Sequence, residues 1–276
     1  MSARLLGYGR NFRWYHWLGG AATVGGFNAG LLLAMGRTYR WYNEEDTRNA
    51  NAFRELYGLP TEAQRLEVFA WLARDWDKTI GLVEKTGADV HRKELFADAG
   101  GDVLDVAVGT GRGVEVLDPG RVDSYVGVDC VQAMVDVAQG KLAGGVAFPA
   151  RMQLGNAHAL PFASDSFDTV LGSLCLCSVE HPDRALEEMA RVCRPGGQVL
   201  LVEPGLARTR VVRAAQRYLG LVPQPKHPWE FGWYDDRDPV ALVQACPGLE
   251  LARVRCRALG NWYLLTARPA AAQPAE

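Results

Sequence analysis

Three glycines follow a short apolar segment near the middle of the chain. Residues 103–108 are apolar except for Asp105, as in a strand buried on both faces, and Gly109, Gly111 and Gly113 come directly after them. Glycine permits positive φ angles and close approach of a ligand, and the N–H groups that open a following helix face that ligand. The pattern therefore predicts a strand, a tight turn and the start of a helix that bind a nucleotide-like ligand.

The other residues of this stretch indicate which ligand it binds. A dinucleotide fingerprint would place a third small residue at position 114, which is Val114, and the Gly-Lys-Ser or Gly-Lys-Thr of a Walker loop is absent. Asp105 lies near the end of the strand, where its carboxylate would repel a pyrophosphate and attract a cationic amino or sulfonium group. S-adenosylmethionine (SAM) is a ligand of this type.

A second acidic residue supports the same ligand. The apolar segment 124–129 predicts another strand, and Asp129 at its end lies twenty residues after Gly109. A carboxylate in this position can accept hydrogen bonds from the hydroxyls of a ribose. The two aspartates thus predict one pocket for the cationic end and the sugar of SAM.

Five motifs in order resemble the class I SAM-dependent methyltransferases over residues 76–268. They are DVAVGTG at 105–111, VGVD at 126–129, GNAHALPF at 155–162, SFDTV at 166–170 and RVCRPGGQVLLVEP at 191–204. The resemblance implies an α/β fold with a doubly wound, seven-stranded, mostly parallel sheet. It also implies that the cofactor is bound by Asp105, Ala107, Gly109, Thr110, Gly111, Asp129, Cys130, Asn156, Ala157 and Leu174. Many relatives carry an acid in place of Asn156, whose oxygen can still accept a hydrogen bond from the adenine amino group.

Within that superfamily the chain is most similar to the ubiquinone/menaquinone-type (UbiE-like) methyltransferases. It looks closest to the membrane-anchored mitochondrial members named for oxidase mutation suppression in yeast. The similarity lies in residues 101–113, in LCSVEHPDRAL at 176–186 and in an apolar segment before the catalytic domain. It implies a small lipophilic methyl acceptor, such as a quinone precursor or a lipid.

Length and composition limit the number of domains and the kinds of ligand that the chain can bind. The 276 residues can form one α/β domain with an N-terminal extension, and a net charge of −2 gives no reason to expect general nucleic-acid binding. Six cysteines show no zinc-site spacing, so we expect reduced, mostly buried thiols and no metal site. We expect Cys175 and Cys177 to alternate on one strand.

The N-terminus has the composition of a mitochondrial targeting sequence. Residues 1–43 contain arginine but no Asp or Glu, and residues 17–36 are uncharged, a length that as a helix would just cross a bilayer. Tryptophan and tyrosine flank this segment on both sides, as in an interfacial aromatic belt. We predict a single transmembrane helix at 17–36 in the mitochondrial inner membrane. Six glycines and Asn28 keep a helix packed against protein as the alternative.

The chain is therefore divided into four segments. These are a targeting and membrane-anchor segment at 1–43, a helical extension at 44–98, the methyltransferase domain at 99–268 and a disordered tail at 269–276. In the extension, Thr61 and Gln64 predict a capping box that opens a helix. We expect Trp71 in the core, and the resemblance implies that the helices near Trp76 cover the cofactor.

The segment after the fourth predicted strand contains the candidate for acceptor chemistry. Strand 168–175 leads into Ser178, Glu180 and His181, and ligands bind beyond the carboxyl ends of strands in open α/β sheets. His181 could act as a general base or could cap the helix that begins at Pro182. Glu203, at the end of the fifth strand, is a weaker candidate.

Two later segments are candidates for contact with a membrane and an acceptor. Residues 207–221 predict an amphipathic helix, whose arginines at 210, 213 and 217 either face solvent or contact anionic lipid headgroups. The aromatic segment 226–236 is expected to form a loop over the acceptor pocket.

Three hypotheses follow for the whole chain. The first is a SAM-dependent methyltransferase that acts on a small lipophilic acceptor at a mitochondrial membrane. The second is an accessory or assembly subunit of a mitochondrial membrane complex or ribosome, with a methyltransferase fold and little or no turnover. The third, an RNA methyltransferase, is disfavoured by the net charge.

Overall fold

The computed structural model describes residues 55, 58–79, 87–218, 227–234 and 236–270. In this part of the chain seven strands form one sheet in the order β3-β2-β1-β4-β5-β7-β6. Strands β1 to β5 pair in parallel, and β7 is antiparallel to both β5 and β6. The strands are β1 (Gly101–Val106), β2 (Val122–Asp129), β3 (Ala150–Leu154), β4 (Phe167–Ser173), β5 (Cys193–Pro204), β6 (Leu249–Arg257) and β7 (Trp262–Pro269). The predicted seven-stranded, mostly parallel sheet is confirmed.

Helices cover both faces of the sheet. They are α1 (Glu62–Leu72), α2 (Trp76–Thr79), α3 (Ala88–Phe96), α4 (Gln132–Leu142), α5 (Pro182–Val192), α6 (Arg210–Tyr218), α7 (His227–Glu230) and α8 (Pro239–Ala245). Leu104 and Val106 of β1 belong to a core that includes α5 and α8. Val103 belongs to a second core that includes α3 and α4. This alternation along β1 is the reason why its sequence is almost continuously apolar.

The predicted α-helix after the glycine turn is wrong. Turns lead only to a single 3-10 turn at Val114–Val116, and Leu117 is extended, with φ −76° and ψ 144°. Glycine disfavours helix by about 1 kcal/mol relative to alanine, and the residue before a proline avoids the helical region. Three glycines before Val114 and Pro119 after it therefore prevent a longer helix.

Other predicted elements differ mainly at their ends. Cys175 and Cys177 lie in the loop after β4 and not on the strand, although both are buried as expected. The helix predicted at 207–221 is described only as α6, at Arg210–Tyr218. Strand β7 includes Pro269, the first residue of the predicted tail.

The N-terminal helices pack onto the sheet domain. The predicted capping box of Thr61 and Gln64 is present at the start of α1. Apolar side chains of α1, including Leu66 and Phe69, pack beside Val131 and Met134 at the start of α4. Trp71 is 54% exposed, so its predicted place in the core is wrong. In contrast, Phe96 of α3 is fully buried against the sheet.

The predicted membrane segment 17–36 lies outside the described residues, together with the rest of the targeting segment 1–43. Among the residues that are described, no helix combines the length and the apolar character needed to cross a bilayer.

Candidate functional site

The ends of β1 and β2 meet at the glycine turn. The Asp129 carboxylate, at the end of β2, accepts hydrogen bonds from the backbone N–H of Gly109 at 2.9 Å and of Val131 at 2.9 Å. Burial raises the pKa of Asp129, and these backbone donors oppose the rise. Each bond occupies a different carboxylate oxygen, so both oxygens retain lone pairs for further donors. The geometry suits a ligand with two adjacent hydroxyls.

The three glycines of the turn differ in what surrounds them. Gly109 has a φ of 55°, and a Cβ added there would meet no atom within 4 Å. A Cβ on Gly111 would lie 3.1 Å from the Cβ of Ala138 in α4, and one on Gly113 would clash with the Asp105 carboxylate. Gly109 is therefore the glycine that borders open space, whereas Gly111 and Gly113 permit close packing within the protein.

Asp105 lies beneath the turn and not in an open cleft. Its side chain is 3% exposed, and its Oδ2 atom accepts a hydrogen bond from the hydroxyl of Tyr125 at 2.9 Å. Burial raises the pKa of Asp105 to about 7, with the Tyr125 bond and Arg92 opposing and Asp129 adding to the rise. A cation near the turn would favour the ionised carboxylate.

Two backbone positions beside the turn carry left-handed conformations without glycine. Ala107 and Leu174 both have φ 56°, and they follow β1 and β4, which are neighbours in the sheet. L-residues rarely adopt this region, and single cases often occur at functional sites. Both residues were expected at the cofactor, and the structure brings them to the same edge of the sheet.

The remaining predicted cofactor residues lie at the same edge or close to it. Cys130 follows β2 and is exposed. Asn156 is exposed, and its Oδ1 atom accepts from the backbone N–H of His158 at 2.8 Å, so its amide N–H groups can donate to a ligand. Ala157 is buried in the core on the α5 side. Thr110 is 3% exposed and donates to Asp77 at 2.8 Å, so its side chain faces α2.

Charged side chains from the N-terminal helices surround the turn, a feature that the sequence analysis missed. Asp77 of α2 contacts Lys141 at 2.7 Å and Arg112 at 3.5 Å, as well as Thr110. Burial would raise the pKa of Asp77, but the hydrogen bonds from Lys141 and Thr110 outweigh it and lower the pKa. Arg112 also pairs with Asp89 of α3. The helices thus bind to the glycine turn through ion pairs as well as apolar contacts.

Arg92 connects this ionic cluster to β4. Its Nη1 atom lies 2.6 Å from Asp89, and its Nε–H donates to the hydroxyl of Ser173 at 2.7 Å. Ser173 is the last residue of β4. Arg92 is nearly buried, so a guanidinium of α3 lies close to the end of the strand next to β1.

Glu203 organises the loop after β4. The carboxylate is fully buried and accepts from the backbone N–H groups of Cys175, Leu176 and Cys177 at 2.9, 3.0 and 3.3 Å. Burial raises the pKa of Glu203 to about 7 despite these bonds. Glu203 therefore holds the loop and does not face an open acceptor site.

Two arginines hold the same loop from the other side. Arg237 donates to the carbonyls of Val179, at 2.6 Å, and Leu176, and Arg65 of α1 donates to the carbonyl of Ser178 at 2.6 Å. Both guanidiniums lie over the ring of Tyr234, with the Arg237 carbon 4.6 Å and the Arg65 carbon 5.1 Å from the ring centroid.

Aromatic side chains of α1, α2 and residues 231–233 extend this arrangement, and together with Arg65, Tyr234 and Arg237 they are called the roof of the site. The Trp233 ring is stacked on Phe231 at 4.7 Å and lies 6.0 Å from Trp76, which in turn lies 5.8 Å from Phe69. The segment 227–230 forms the short helix α7 within the expected loop. These four partly buried rings form one aromatic cluster, and the neighbouring Tyr234 ties it to the loop after β4 through a hydrogen bond from its backbone N–H to the carbonyl of Cys177.

His181 occupies the N-cap position of α5, as one of its two predicted roles requires, but its side chain forms no cap hydrogen bond. The residue is exposed, and its backbone N–H donates to Nε2 of His158 at 3.2 Å. The two imidazoles lie 5.6 Å apart. The His181 side chain stays available for a proton-transfer role, which remains a prediction.

The site as a whole fits SAM. It combines a glycine turn with an open side at Gly109, a carboxylate with spare lone pairs at Asp129 and a buried carboxylate at Asp105. The described residues contain no cluster of three or more side chains arranged to hold a metal ion.

Comparisons with known proteins agree with this arrangement. Residues 104–201 match a family described as a methyltransferase domain. The chain is 38% identical over 141 residues to a demethylmenaquinone methyltransferase of Mycobacterium tuberculosis, covering 49% of this chain and 56% of that protein. It is 28% identical over 152 residues to the mitochondrial methyltransferase OMS1 of Saccharomyces cerevisiae, covering 48% of this chain and 32% of that protein. The chain thus spans about half of one relative and a third of the other.

A solved structure shares the fold. The cyclase SpnF superimposes with a TM-score of 0.60 at 17% identity, covering 76% of this chain and 97% of that chain. At this identity the similarity shows the fold alone.

Proposed function

Because the chain contains a class I SAM-dependent methyltransferase domain of the UbiE-like group, we propose that it transfers a methyl group from SAM to a small lipophilic acceptor of the quinone-precursor type. The observation that carries this proposal is the contact of Asp129 with Gly109 beside the open side of that glycine. It supports a ribose site next to a main-chain cradle.

When bound, SAM supplies an already activated methyl group on a sulfonium. The chain's own contribution is then to bind, orient and exclude water, because the positioning of two reactants accounts for much of the rate in such displacements. Asp129 would accept hydrogen bonds from the ribose hydroxyls of SAM. Asp105, which lies beneath the glycine turn, would stabilise the positive charge of SAM electrostatically. Asn156 and Ala157 would contact the adenine, in the proposed arrangement.

The roof of the site supports a lipophilic, aromatic acceptor. Phe69, Trp76, Phe231 and Trp233 form one cluster that joins α1, α2 and the segment after α7. Aromatic side chains pack on planar rings and exclude water from them. The relative from Mycobacterium tuberculosis is named for a menaquinone precursor, which agrees with a quinone-type acceptor. His181 is the proposed base that would take a proton from the acceptor.

We further propose that the protein works at a mitochondrial membrane. The yeast relative is described as mitochondrial, and the sequence of 17–36 suits a membrane anchor. In α6, Val211 is 77% exposed beside the exposed Arg210, which suits contact with an anionic lipid surface. Arg213 instead donates to the carbonyl of Ala207 at 2.8 Å.

Calorimetry with SAM, followed by transfer of labelled methyl groups to fractionated quinone precursors, lipids and RNA, tests the reaction. We expect SAM binding and label in the quinone fraction. Binding without any labelled product would instead support the accessory or assembly role, and labelled RNA would support the third hypothesis.

Membrane attachment has its own test. Carbonate extraction of mitochondria should leave the full chain in the membrane pellet, and its release into the supernatant would contradict an anchor at 17–36. For α6, the double substitution by glutamine of Arg210 and of Arg208, an exposed arginine just before the helix, should weaken cosedimentation with phosphatidylglycerol-containing vesicles. Arg253→Gln, at an exposed position of β6, is the matched control.

A further inference from the structure

Arg65 is an unusual residue for the interior of a protein. It is 1% exposed, and its Nη1 atom donates to the carbonyls of Ser178 at 2.6 Å and Gly232 at 3.1 Å. Its Nε–H is buried and has no hydrogen-bond partner. Within the described part of the chain, no carboxylate forms an ion pair with this guanidinium. Glu62 of the same helix interacts electrostatically with Arg65 without forming an ion pair. The unsatisfied group is therefore the Nε–H donor, which is unfavourable in a protein interior unless a ligand supplies an acceptor.

The position of Arg65 indicates which part of the site it serves. Its helix, α1, packs on the start of α4, which follows β2, and Arg65 itself contacts the loop after β4. Strand β1 lies between β2 and β4. Because α1 contacts both the helix after β2 and the loop after β4, it passes over the end of β1. Arg65 therefore lies in the roof over the carboxyl edge of the sheet.

The hydrogen bonds of Arg65 go to segments on the β4 side of that edge, although its charge also acts on Cys130, which follows β2. Ser178 belongs to the loop after β4, and Gly232 belongs to the aromatic segment after α7. Tyr234, on which the guanidinium is stacked, donates its backbone N–H to the carbonyl of Cys177 at 2.8 Å. The proposed ribose site at Asp129 lies at the end of β2, on the opposite side of β1.

Charged groups of both signs lie near Arg65: Glu62 of α1 interacts with it electrostatically, and a second guanidinium is also close. Arg237 also lies over the ring of Tyr234 and contacts backbone carbonyls of the same loop. Burial lowers the pKa of Arg237, and the positive charge of Arg65 lowers it further, which indicates that the two guanidiniums are close. The nearby carboxylate of Glu203 is already bound to three backbone N–H groups.

We propose that Arg65 binds the anionic oxygen of the methyl acceptor through its free Nε–H, which makes an ionised phenol-type hydroxyl the preferred acceptor group. The inference rests on the proposed function and specifies its substrate class. Ionisation of a ring hydroxyl is what makes its oxygen, and the ring carbons beside it, nucleophilic enough to take a methyl group. The guanidinium stabilises this anion in a water-poor site, where a charge-assisted hydrogen bond is strong.

The test uses p-nitrophenol, whose anion is coloured, bound to the full-length protein saturated with S-adenosylhomocysteine. We expect the wild-type protein to lower the apparent pKa of the bound probe by about one unit, equivalent to a tenfold preference for the anion. Arg65→Gln should abolish the shift and Arg65→Lys should retain part of it. Arg253→Gln should behave like the wild type.

Calorimetry with S-adenosylhomocysteine separates this proposal from the proposed function. We expect the affinity of all four proteins to agree within about twofold, since the cofactor is bound by other residues. A loss of cofactor affinity in Arg65→Gln would overturn the proposal, because the guanidinium would then bind the carboxylate of the cofactor. A wild-type protein that leaves the probe's titration unchanged would also overturn it, whereas a wild-type protein that binds no cofactor would contradict the proposed function.

The Arg65→Lys variant distinguishes acceptor binding by Arg65 from a role in structure alone. A lysine can still donate to the carbonyl of Ser178, so the roof should remain folded, but it lacks the planar fork of arginine. If Arg65→Gln and Arg65→Lys melt like the wild type and still shift the probe as the wild type does, Arg65 does not bind the acceptor.

Discussion

The backbone N–H of Gly109 and the side chain of Asp129 are joined by a hydrogen bond of 2.9 Å that links the turn after β1 to the end of β2. The second oxygen of Asp129 holds the N–H of Val131 at the start of α4. One carboxylate therefore fixes three elements around the predicted ribose position. Its replacement should affect both the shape of the turn and the binding of the cofactor.

Asp129→Asn is expected to weaken SAM binding by at least about tenfold. In the variant, the NH₂ group of asparagine replaces one acceptor oxygen and faces a backbone N–H or a ribose hydroxyl that needs an acceptor. The loss of one charge-assisted hydrogen bond costs about 1.5–3 kcal/mol. Isothermal titration calorimetry measures the effect. Asp123→Asn changes an exposed aspartate on the same strand and should leave the affinity unchanged. Equal affinity for SAM in both variants would remove Asp129 from the cofactor site.

The glycines provide a comparison between binding and packing. Gly109→Ala and Gly111→Ala both place an L-residue at a positive φ, which costs about 1–2 kcal/mol. Only Gly111→Ala also brings a Cβ to 3.1 Å from Ala138, so it should lower the thermal midpoint more. Gly109→Ala should reduce SAM affinity more than Gly111→Ala does, because its Cβ enters the open space. The reverse order in the two assays would contradict our assignment of the glycines.

The positions of the strand-end residues could be predicted because parallel strands bring their carboxyl ends to one edge. Asp105 and Asp129 follow this rule, and they come from neighbouring strands. The hydrogen bond from Tyr125 to Asp105 could not be predicted, since it depends on which face of β1 the Asp105 side chain occupies and joins residues twenty positions apart. The left-handed conformations of Ala107 and Leu174 could not be predicted either, because alanine and leucine rarely adopt positive φ angles.

The roof of the site could not be predicted from local patterns. Arg65 and Asp77 act through long-range contacts, with Ser178 and Thr110, that require the packing of α1 and α2 on the sheet. The position of Glu203 near the end of a strand beside the site suggests a role in chemistry. Its actual role depends on the path of the loop after β4, which the residue types alone do not determine. The resemblance to the family supplied the general expectation that helices near Trp76 cover the cofactor.

The pH dependence of SAM affinity should report Asp105. Burial raises the pKa of this carboxyl to about 7 in the free protein, and a bound cation would lower it. Below pH 7 the free protein therefore binds more protons than the complex does. The SAM affinity should decrease on acidification, by up to about tenfold for each pH unit, and should be constant above pH 7. Calorimetry between about pH 5.5 and 7 avoids the titration of the SAM amino group.

Asp105→Asn removes the titrating group and provides the control for this dependence. Its SAM affinity should be lower at pH 7 but nearly constant over the same range. Should the wild-type affinity also be constant, Asp105 would not be coupled to the cofactor.

Stability offers a separate test of Glu203. Its three backbone donors lose their acceptor in Glu203→Ala, and unsatisfied buried groups cost about 1–3 kcal/mol each, so we expect a loss of about 3 kcal/mol or more in the free energy of unfolding. Glu250→Ala, at an exposed position of β6, should change it by less than about 0.5 kcal/mol.

The sign of the pH effect distinguishes a buried carboxyl from an exposed one. Burial raises the pKa of folded Glu203 to about 7, above the value of about 4.3 for an unfolded chain, so the folded state holds an extra proton between these values. The stability due to this proton is fully present below about pH 4.3 and is lost as the pH rises through 7. Glu203→Gln cannot titrate, so the difference in unfolding free energy between wild type and variant should change by up to about 1.4 kcal/mol per pH unit in this window. Denaturant unfolding at a series of pH values measures that difference, and a constant value would show that Glu203 does not titrate with a raised pKa.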